Sequence, residues 1–445
     1  MGMKRKIYQT IKKWKEERNG STALLIEGAR RVGKSYIVEE FARNEYESYI
    51  IVNFSKVGPH VHELFNDLSD IPLLLQKLTS IMRVKLKDRK SLVVFDEIQK
   101  CPRAREAIKF LVEDGRYDYI ETGSLISIHE NVCDIIIPSE EESIRMYPMD
   151  FEEFCWALGD EVTVPLIRRH FDERKPLGTA MHKVVLEQFR KYMIIGGMPR
   201  VVQEYAKTGS FDKVEHEKRM ILKLYREDIS KKSKINRLRT SSLFESIPSD
   251  LSKHDKKVEP GKVDRSSRMA DLDEPLFWLE DSMICNICYN ATSPDVGLGL
   301  NRDRLTVKCY MGDTGLLVSH SINENECMEH DIYSALLADK LHINEGMFTE
   351  NMVAQILRSN GHKLYFHSFY KDDSKNKMEV DFLIRDGRKI CPIEVKSSNY
   401  TNHASMDYFM DKHSKSLGQP YIIYTKDLKK SGNTLFIPIY MTICL

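Results

Sequence analysis

The sequence has no long apolar run and no excess of charge of one sign. No stretch approaches the roughly 20 apolar residues that a membrane-spanning helix needs, and the basic segment Met1–Lys6 is not followed by the apolar core of a signal peptide. Lys and Arg number 67 against 66 Asp and Glu, so no global field selects nucleic acid or a membrane surface. We therefore expect a chain without a membrane partner.

The cysteines are few and scattered. Their number is odd, at nine, which is typical of a protein kept reduced in the cytoplasm. Cys285-x-x-Cys288 is the one close pair, and a zinc site would need a second pair at suitable spacing. We therefore expect structural thiols and a cytoplasmic location.

The most specific pattern that is present is G-x-x-x-x-G-K-[ST] at residues 28–35. An apolar strand precedes it at Ala23–Ile26 and helix-forming sequence follows, as in a phosphate-binding loop. Its glycines let backbone N–H groups face the phosphates, and the helix N-terminus adds a positive dipole end. Lys34 is predicted to reach the β- and γ-phosphates, and the Ser35 hydroxyl to ligate Mg²⁺. The predicted nucleotide-binding residues of this loop are Gly28, Ala29, Arg30, Arg31, Val32, Gly33, Lys34 and Ser35.

A second motif supports the first. Ser91–Phe95 is apolar, as expected of a buried parallel strand, and two acids follow it. Asp96 is predicted to bind Mg²⁺ and Glu97 to activate the attacking water. Thr122 and Ser124, at the end of the next predicted strand, are candidates for sensing the γ-phosphate, although a plain turn explains them equally well.

Strands and helices alternate over residues 21–140. Strands are predicted at Ala23–Ile26, Tyr49–Phe54, Leu92–Asp96, Tyr117–Glu121 and Ile135–Ile137. This alternation predicts a parallel α/β sheet with right-handed crossovers. A mainly helical stretch follows from Asp150 to about residue 236, and Gly196–Pro199 marks a break between its helices.

The middle of the chain is basic. Residues 230–268 contain eleven Lys or Arg against five Asp or Glu. Ser246–Ser252 is predicted to be a turn followed by a short capped helix, with a helix at Leu276–Leu279 and a strand at Leu305–Tyr310. Two interpretations stay open: a winged-helix element that contacts DNA, and a solvated region that docks domains.

The last hundred residues are predicted to run helix, three strands, helix, strand, which is the order of a restriction-endonuclease-like core. Asp381 and Glu394 would bind Mg²⁺, Glu350 would support the metal, and Lys396 would polarise the water or the scissile phosphate. The alternative is the same fold with a salt-bridged cluster and no cleavage activity.

Across nearly its whole length the chain resembles prokaryotic AAA-type ATPases, related to STAND-like NTPases, that carry an uncharacterised endonuclease-like C-terminal domain. The motifs that carry the resemblance are Gly28–Ser35, Phe95–Gln99, Thr122–Ser124, Tyr147–Phe154, Gly196–Pro199, Asp313–Leu317, Glu379–Leu383 and Ile393–Lys396. The resemblance implies an ATPase core at 1–145, a helical lid at 146–232, a winged-helix-like domain at 233–335 and a restriction-endonuclease-like α/β domain at 336–445. ATP is favoured over GTP because the family binds ATP and no guanine-specific N-K-x-D is present. Arg103, Arg105 and Arg116 are the candidate arginine fingers.

We thus expect an ATP- and Mg²⁺-dependent ATPase that acts as a switch or motor coupled to the C-terminal domain. One alternative is an ATP-gated, Mg²⁺-dependent DNA nuclease. Another is a regulator that binds DNA or a protein partner without cutting. The sequence does not decide between DNA and protein as the partner.

Overall fold

The computed structural model describes residues 2–123, 139–231, 234–263, 267–295, 297–322, 345–371, 377–397, 403–414 and 416–445. The chain divides into two compact units, Met1–Tyr147 and Pro148–Leu445. Among the helices of these described segments, none is both long and apolar enough to cross a membrane.

The first unit is an α/β structure. Its helices are α1 (Ile7–Arg18), α2 (Lys34–Glu45), α3 (Pro59–Glu63), α4 (Ile71–Met82) and α5 (Pro102–Asp114), and its strands are β1 (Ala23–Gly28), β2 (Ser48–Asn53), β3 (Ser91–Asp96), β4 (Asp118–Gly123) and β5 (Glu141–Met146).

These five strands form a parallel sheet in the order β2-β3-β4-β1-β5. Alternate residues of each strand pack on opposite layers, because side chains of a strand alternate between faces. Leu25, Val93 and Tyr119 join one core with α4 and α5, while Leu24, Val94 and Ile120 join the other with α1 and α2. The parallel α/β sheet predicted from the sequence is confirmed.

The edge strand β5 was not predicted. Its sequence, Glu141–Met146, contains two glutamates and an arginine, and most of its side chains are only half-buried or exposed. Such a strand lacks the continuous apolar run by which buried parallel strands are found. The strand predicted at Ile135–Ile137 lies outside the described residues.

The second unit contains more helix and one large sheet. Its helices are α6 (Phe151–Ala157), α7 (Thr163–Asp172), α8 (Thr179–Ile195), α9 (Pro199–Thr208), α10 (Phe211–Ser230), α11 (Lys234–Leu251), α12 (Pro260–Val263), α13 (Asp273–Asp281), α14 (Thr314–Ser321), α15 (Glu345–Ser359) and α16 (Ala404–His413). Its strands are β6 (Cys285–Ala291), β7 (Arg302–Met311), β8 (Tyr365–Tyr370), β9 (Lys377–Asp386), β10 (Lys389–Val395), β11 (Tyr421–Tyr424), β12 (Lys429–Ser431) and β13 (Thr434–Pro438).

The sheet of the second unit runs across a predicted domain boundary. Its order is β12-β13-β11-β10-β9-β8-β6-β7. β6 and β7 were predicted to belong to a winged-helix-like domain, but β6 pairs in parallel with β8 at Tyr289 and Asn290. The predicted boundary at 335/336 therefore falls inside one mixed sheet. The four-domain division stays a prediction, and the described division is into two units.

The turn predicted to open the segment Ser246–Ser252, before a short capped helix, is wrong. Helix α11 continues to Leu251 and contains Pro248. Leu243, Phe244, Ile247 and Leu251 are buried at helical spacing. This apolar packing outweighs the cost of a proline inside the helix.

Three motifs to which the sequence assigned no role contact one another through hydrogen bonds: Tyr147–Phe154, Gly196–Pro199 and Asp313–Leu317. The Met149 N–H donates to the carbonyl oxygen of Gly197 over 2.6 Å, and the Gly197 N–H donates to the carboxylate of Asp313 over 2.6 Å. Asp313 also caps α14 by accepting from the Leu316 N–H. Gly196–Pro199 is thus a backbone junction as well as a break between α8 and α9.

We expect Gly197→Ala to destabilise the second unit by about 1–3 kcal/mol, as overpacking typically does. A β-carbon at Gly197 would lie 2.1 Å from the backbone oxygen of Met149, and backbone cannot move aside as a flexible side chain can. Thermal unfolding would measure the loss. Gly261→Ala is the matched control because a β-carbon there meets nothing within 4 Å. Equal stability of the two variants would contradict the proposed close approach.

Candidate functional site: a nucleotide site and a buried ion cluster

Three polar side chains end adjacent strands of the first sheet. Asn53, Asp96 and Thr122 lie in register at the carboxyl ends of β2, β3 and β4. The Asn53 amide donates to Asp96 Oδ2 over 2.5 Å, and the Thr122 hydroxyl donates to Asp96 Oδ1. Ligands of open α/β sheets bind at this edge.

The loop after β1 holds the N-terminus of α2 beside this row. Gly33 precedes the helix with φ +99°, a left-handed conformation that glycine adopts at little cost. Ala29 and Val32 are buried, and the Arg30 and Arg31 side chains are exposed. The buried side chains of Ala29 and Val32 therefore fix the loop to the core while its backbone makes the turn into α2.

Lys34 is the buried cation of this loop. Its side chain is 8% exposed, and Nζ donates to the carbonyl oxygens of Gly28 (2.7 Å) and Ala29 (3.1 Å). Burial lowers the pKa of Lys34 to about 8, against the opposing fields of Glu97 and Asp96. Burial removes the hydration that stabilises the Lys34 ammonium. A negatively charged ligand would stabilise the ammonium in its place.

Ser35 and Asp96 bring two hard oxygen donors together. The Ser35 hydroxyl, in the first turn of α2, donates to Asp96 Oδ1 over 2.8 Å. With Ser35, Thr122 and Asn53 as donors, both oxygens of Asp96 are engaged. Ser35 and Asp96 were each predicted to bind Mg²⁺; the structure brings their oxygens together, and their roles as ligands stay predictions.

Glu97 follows β3 in a left-handed conformation with φ +59°. Non-glycine residues adopt this conformation at a cost, and such residues cluster at functional sites. The Gln99 amide donates to Glu97 Oε2 over 2.5 Å, and the Glu97 N–H donates to the Thr122 hydroxyl over 3.4 Å. Gln99 is 3% exposed, and its Oε1 has no hydrogen-bond partner among the described residues.

Sequence reasoning missed two of these contacts, those of Asn53 and Gln99. Asn53 could have been found as a polar residue ending a predicted strand next to the Asp96 strand. Gln99 was noted only as part of the Phe95–Gln99 motif. Ser124, the second predicted sensor, lies outside the described residues.

All three candidate arginine fingers are paired with carboxylates inside the first unit. Arg105 is buried and makes two hydrogen bonds to Glu141, at 3.0 and 2.7 Å. Arg103 pairs with Glu106 at 2.5 Å, and Arg116 pairs with Asp114 at 2.7 Å. None of these contacts places a guanidinium against Lys34, Asp96 or Glu97.

The predicted C-terminal acids lie on neighbouring strands of the second sheet. Asp381, on β9, accepts a hydrogen bond from the Val395 N–H over 2.8 Å. On β10, Glu394 pairs with Lys396 at 2.6 Å, while Glu394 Oε2 is buried without a partner among the described residues. Burial, aided by the nearby Glu350 carboxylate, raises the pKa of Asp381 to about 7.

Glu350 lies in a buried ion cluster with residues that the sequence did not associate with it. Its carboxylate accepts from Lys256, from Lys308 (3.3 Å) and from the Tyr310 hydroxyl. Burial alone would raise the pKa of Glu350, but the ammonium groups of Lys308 and Lys256 outweigh burial and lower this pKa to about 2. We call Lys256, Lys257, Lys308, Glu350, Glu379 and Asp381 the buried ion cluster.

Comparison with family models divides the chain in three. Residues 20–155 match the model described as an AAA domain. Residues 186–326 match a domain of unknown function (DUF8612), and residues 345–442 match another (DUF4143). The first unit therefore carries an AAA-type P-loop domain, and the restriction-endonuclease-like assignment of the tail is not confirmed. No curated protein matches the sequence significantly.

Solved structures resemble the chain at low identity. A Walker-type ATPase of Pyrococcus abyssi is 15% identical, with a TM-score of 0.41 over 72% of this chain and 96% of the other. The ORC1 protein of Aeropyrum pernix in complex with DNA is 11% identical, with a TM-score of 0.30 over 73% and 93%. A STAND protein with a tetratricopeptide repeat sensor from Pyrococcus horikoshii is 12% identical, with a TM-score of 0.26 over 78% and 47%.

Proposed function

We propose that the AAA-type P-loop domain binds and hydrolyses ATP and that the chain is a nucleotide-driven switch or motor whose output passes to the second unit. The observation that carries the proposal is the convergence of Lys34, Ser35, Asp96, Glu97 and Thr122 at the carboxyl edge of one parallel sheet. A phosphate-binding loop, a metal-binding acid and a second acid beside it are the parts that ATP hydrolysis needs.

Binding follows from the loop and from α2. The N-terminus of α2 and the backbone N–H groups of residues 28–35 would hold the phosphates. Lys34 would exchange its two carbonyl acceptors for phosphate oxygens. The Ser35 hydroxyl and Asp96 fit a hard cation, and Mg²⁺ bound there with ATP would neutralise charge on the β- and γ-phosphates.

Glu97 would orient the attacking water and accept its proton. Asp96 is less suited to that role because its two oxygens already accept from Ser35, Thr122 and Asn53. The Gln99 amide fixes one oxygen of Glu97, which makes Gln99 a positioning residue for the second acid.

We expect Gln99→Leu to lower kcat roughly 10- to 100-fold with little change in KM for ATP. A hydrogen bond to a charged group contributes about 1.5–3 kcal/mol, and its loss leaves Glu97 free to rotate. Steady-state ATPase kinetics would measure both constants. Gln76→Leu, at an exposed glutamine of α4, is the control.

Gln99→Glu tests positioning separately from packing. A second carboxylate beside Glu97 disfavours its ionisation, so the acid limb of the pH–rate profile should move to higher pH. An unmoved profile would show that residue 99 does not lie beside the titrating base and would reject the positioning role.

For the second unit we favour a binding role over cleavage. The specific observation is the pairing of Glu350, a predicted metal-supporting acid, with Lys256 and Lys308. The basic stretch at 230–268, apart from Lys256 and Lys257, which pair with Glu350 and Glu379, suits DNA or an acidic protein surface as the partner. An ATP-gated, Mg²⁺-dependent DNA nuclease remains the alternative, with Asp381, Glu394 and Lys396 as its catalytic residues.

ATPase turnover of the full chain, with and without single- or double-stranded DNA, tests the proposal. Turnover that Glu97→Gln abolishes supports the ATPase, and stimulation by DNA favours a nucleic-acid partner over a protein. Absence of turnover under all conditions would reject the motor. A DNA cleavage assay should also use the full chain. A fragment of residues 345–445 would lack β6 and β7, which are two strands of the same sheet.

A further inference from the structure

The C-terminal acids belong to a network of paired charges. The resemblance drawn from the sequence implies a divalent cation bound by Glu350, Asp381 and Glu394. Among the described residues, no three acidic, histidine or cysteine side chains converge so that they could hold a metal ion. Beside Glu350 and Asp381 lie lysines of β7 and of residues 255–258, a segment between α11 and α12.

Lys308 is the central cation. It is 1% exposed and bonds Glu350 at 3.3 Å and Glu379 at 2.7 Å. Its ammonium also lies 4.9 Å from the centre of the Phe366 ring. Lys308 lies in the interior of the long strand β7. The sheet therefore holds its ammonium group in place, and the group cannot move away unless β7 moves.

Lys256 and Lys257 add two further cations from a short segment that runs along β7. The Val258 N–H donates to the Val307 carbonyl over 2.9 Å, which sets the register of this segment. Lys256 then reaches Glu350, and Lys257 reaches Glu379 at 3.0 Å.

The lysines of the buried ion cluster compensate its acids without a metal. Lys256, Lys257 and Lys308 contact the carboxylates of Glu350 and Glu379, and the fields of Lys308 and Lys256 also act on Asp381. Both oxygens of Glu350 are engaged, one by Lys256 and the other by Lys308 and Tyr310. A divalent ion would have to displace these lysines from Glu350 and would add two positive charges beside three ammonium groups.

We propose that Lys256, Lys257 and Lys308 fill the cation site of the second unit, so that the buried ion cluster is a lysine-neutralised structural centre and takes up no divalent metal. The lysines join the 255–258 segment and β7 to α15 and β9. Mg²⁺-dependent cleavage at Asp381 is then absent, whether or not the first unit hydrolyses ATP. A result that rejects this inference therefore leaves the proposed ATPase standing, and the reverse holds as well.

Mn²⁺ uptake by the full chain tests the inference directly. Nucleotide-free protein stripped with EDTA is titrated with Mn²⁺, and the free ion is counted by electron paramagnetic resonance. We expect the wild type and Asp381→Asn to bind the same number of ions, since any ion at Ser35 and Asp96 is common to both. One additional Mn²⁺ per wild-type chain would overturn the inference.

A double-mutant cycle tests whether Lys308 neutralises the acids. Lys308→Met should lower Tm on the order of 5–10 °C because it removes the buried ammonium that Glu350 and Glu379 share. Lys308→Met combined with Glu379→Gln should lose less than the sum of the two single variants. Lys389→Met, at an exposed lysine of β10, should stay within about 1 °C of the wild type. Additive losses at Lys308 and Glu379 would overturn the inference.

Discussion

A Glu97→Gln variant is expected to bind ATP with nearly wild-type affinity and to hydrolyse it about 10²–10⁴-fold more slowly. Glutamine keeps the size of the side chain, and its carbonyl oxygen can still accept the hydrogen bond that the Gln99 amide now gives to Glu97 Oε2. An amide cannot take the proton of the attacking water. The loss should therefore fall on kcat, while equilibrium binding of a fluorescent ATP analogue changes little.

Glu113→Gln is the matched control, because Glu113 is an exposed glutamate of α5 outside the nucleotide site. It should retain wild-type turnover. If Glu97→Gln also retained it, the general base would lie elsewhere, and Asp96 would be the first candidate despite its three hydrogen-bond donors.

A Lys34→Ala variant is expected to lose ATP binding while the fold is retained. Each charge-assisted contact to a phosphate is worth about 1.5–3 kcal/mol, so the loss of one or two such contacts weakens binding by roughly 10- to 10⁴-fold. The carbonyl oxygens of Gly28 and Ala29 lose their donor at the same time. Gly28 and Ala29 are buried, so this loss also lowers the free energy of unfolding without nucleotide, which thermal unfolding measures separately from ATP binding.

Binding of the fluorescent ATP analogue measures this loss, and thermal unfolding without nucleotide checks the fold. Arg43→Ala removes a cation from an exposed position on the same helix, α2, and should leave the affinity unchanged. Wild-type affinity in Lys34→Ala would remove the basis for assigning Gly28–Ser35 as the phosphate site.

The nucleotide site was largely predictable because its chemistry is local. Residues 28–35 combine a glycine turn, a lysine and a hydroxyl within one strand–loop–helix unit, and Asp96 and Glu97 follow directly on an apolar strand. Asn53 and Gln99 were missed because their roles depend on neighbours. Asn53 reaches Asp96 only because β2 lies beside β3, and Gln99 reaches Glu97 only through the left-handed turn at Glu97.

The C-terminal site was the least predictable part. The spacing of Asp381, Glu394 and Lys396 gave their positions on neighbouring strands. It could not give the partners of Glu350, since Lys256 and Lys308 are 94 and 42 residues away in the chain. Sequence separation hides such ion pairs, and an acid awaiting a metal has the same sequence signature as an acid already paired with a lysine.

By itself the sequence determined the phosphate-binding loop, the acids after β3, the alternation that makes the first sheet parallel and most elements of the tail. These depend on periodicity and short-range chemistry, which are written in consecutive residues. The tertiary structure alone decided that β6 and β7 complete the C-terminal sheet, that α11 continues through Pro248 and that lysines surround Glu350. Those outcomes depend on burial against distant segments, where packing and charge compensation outweigh local preference.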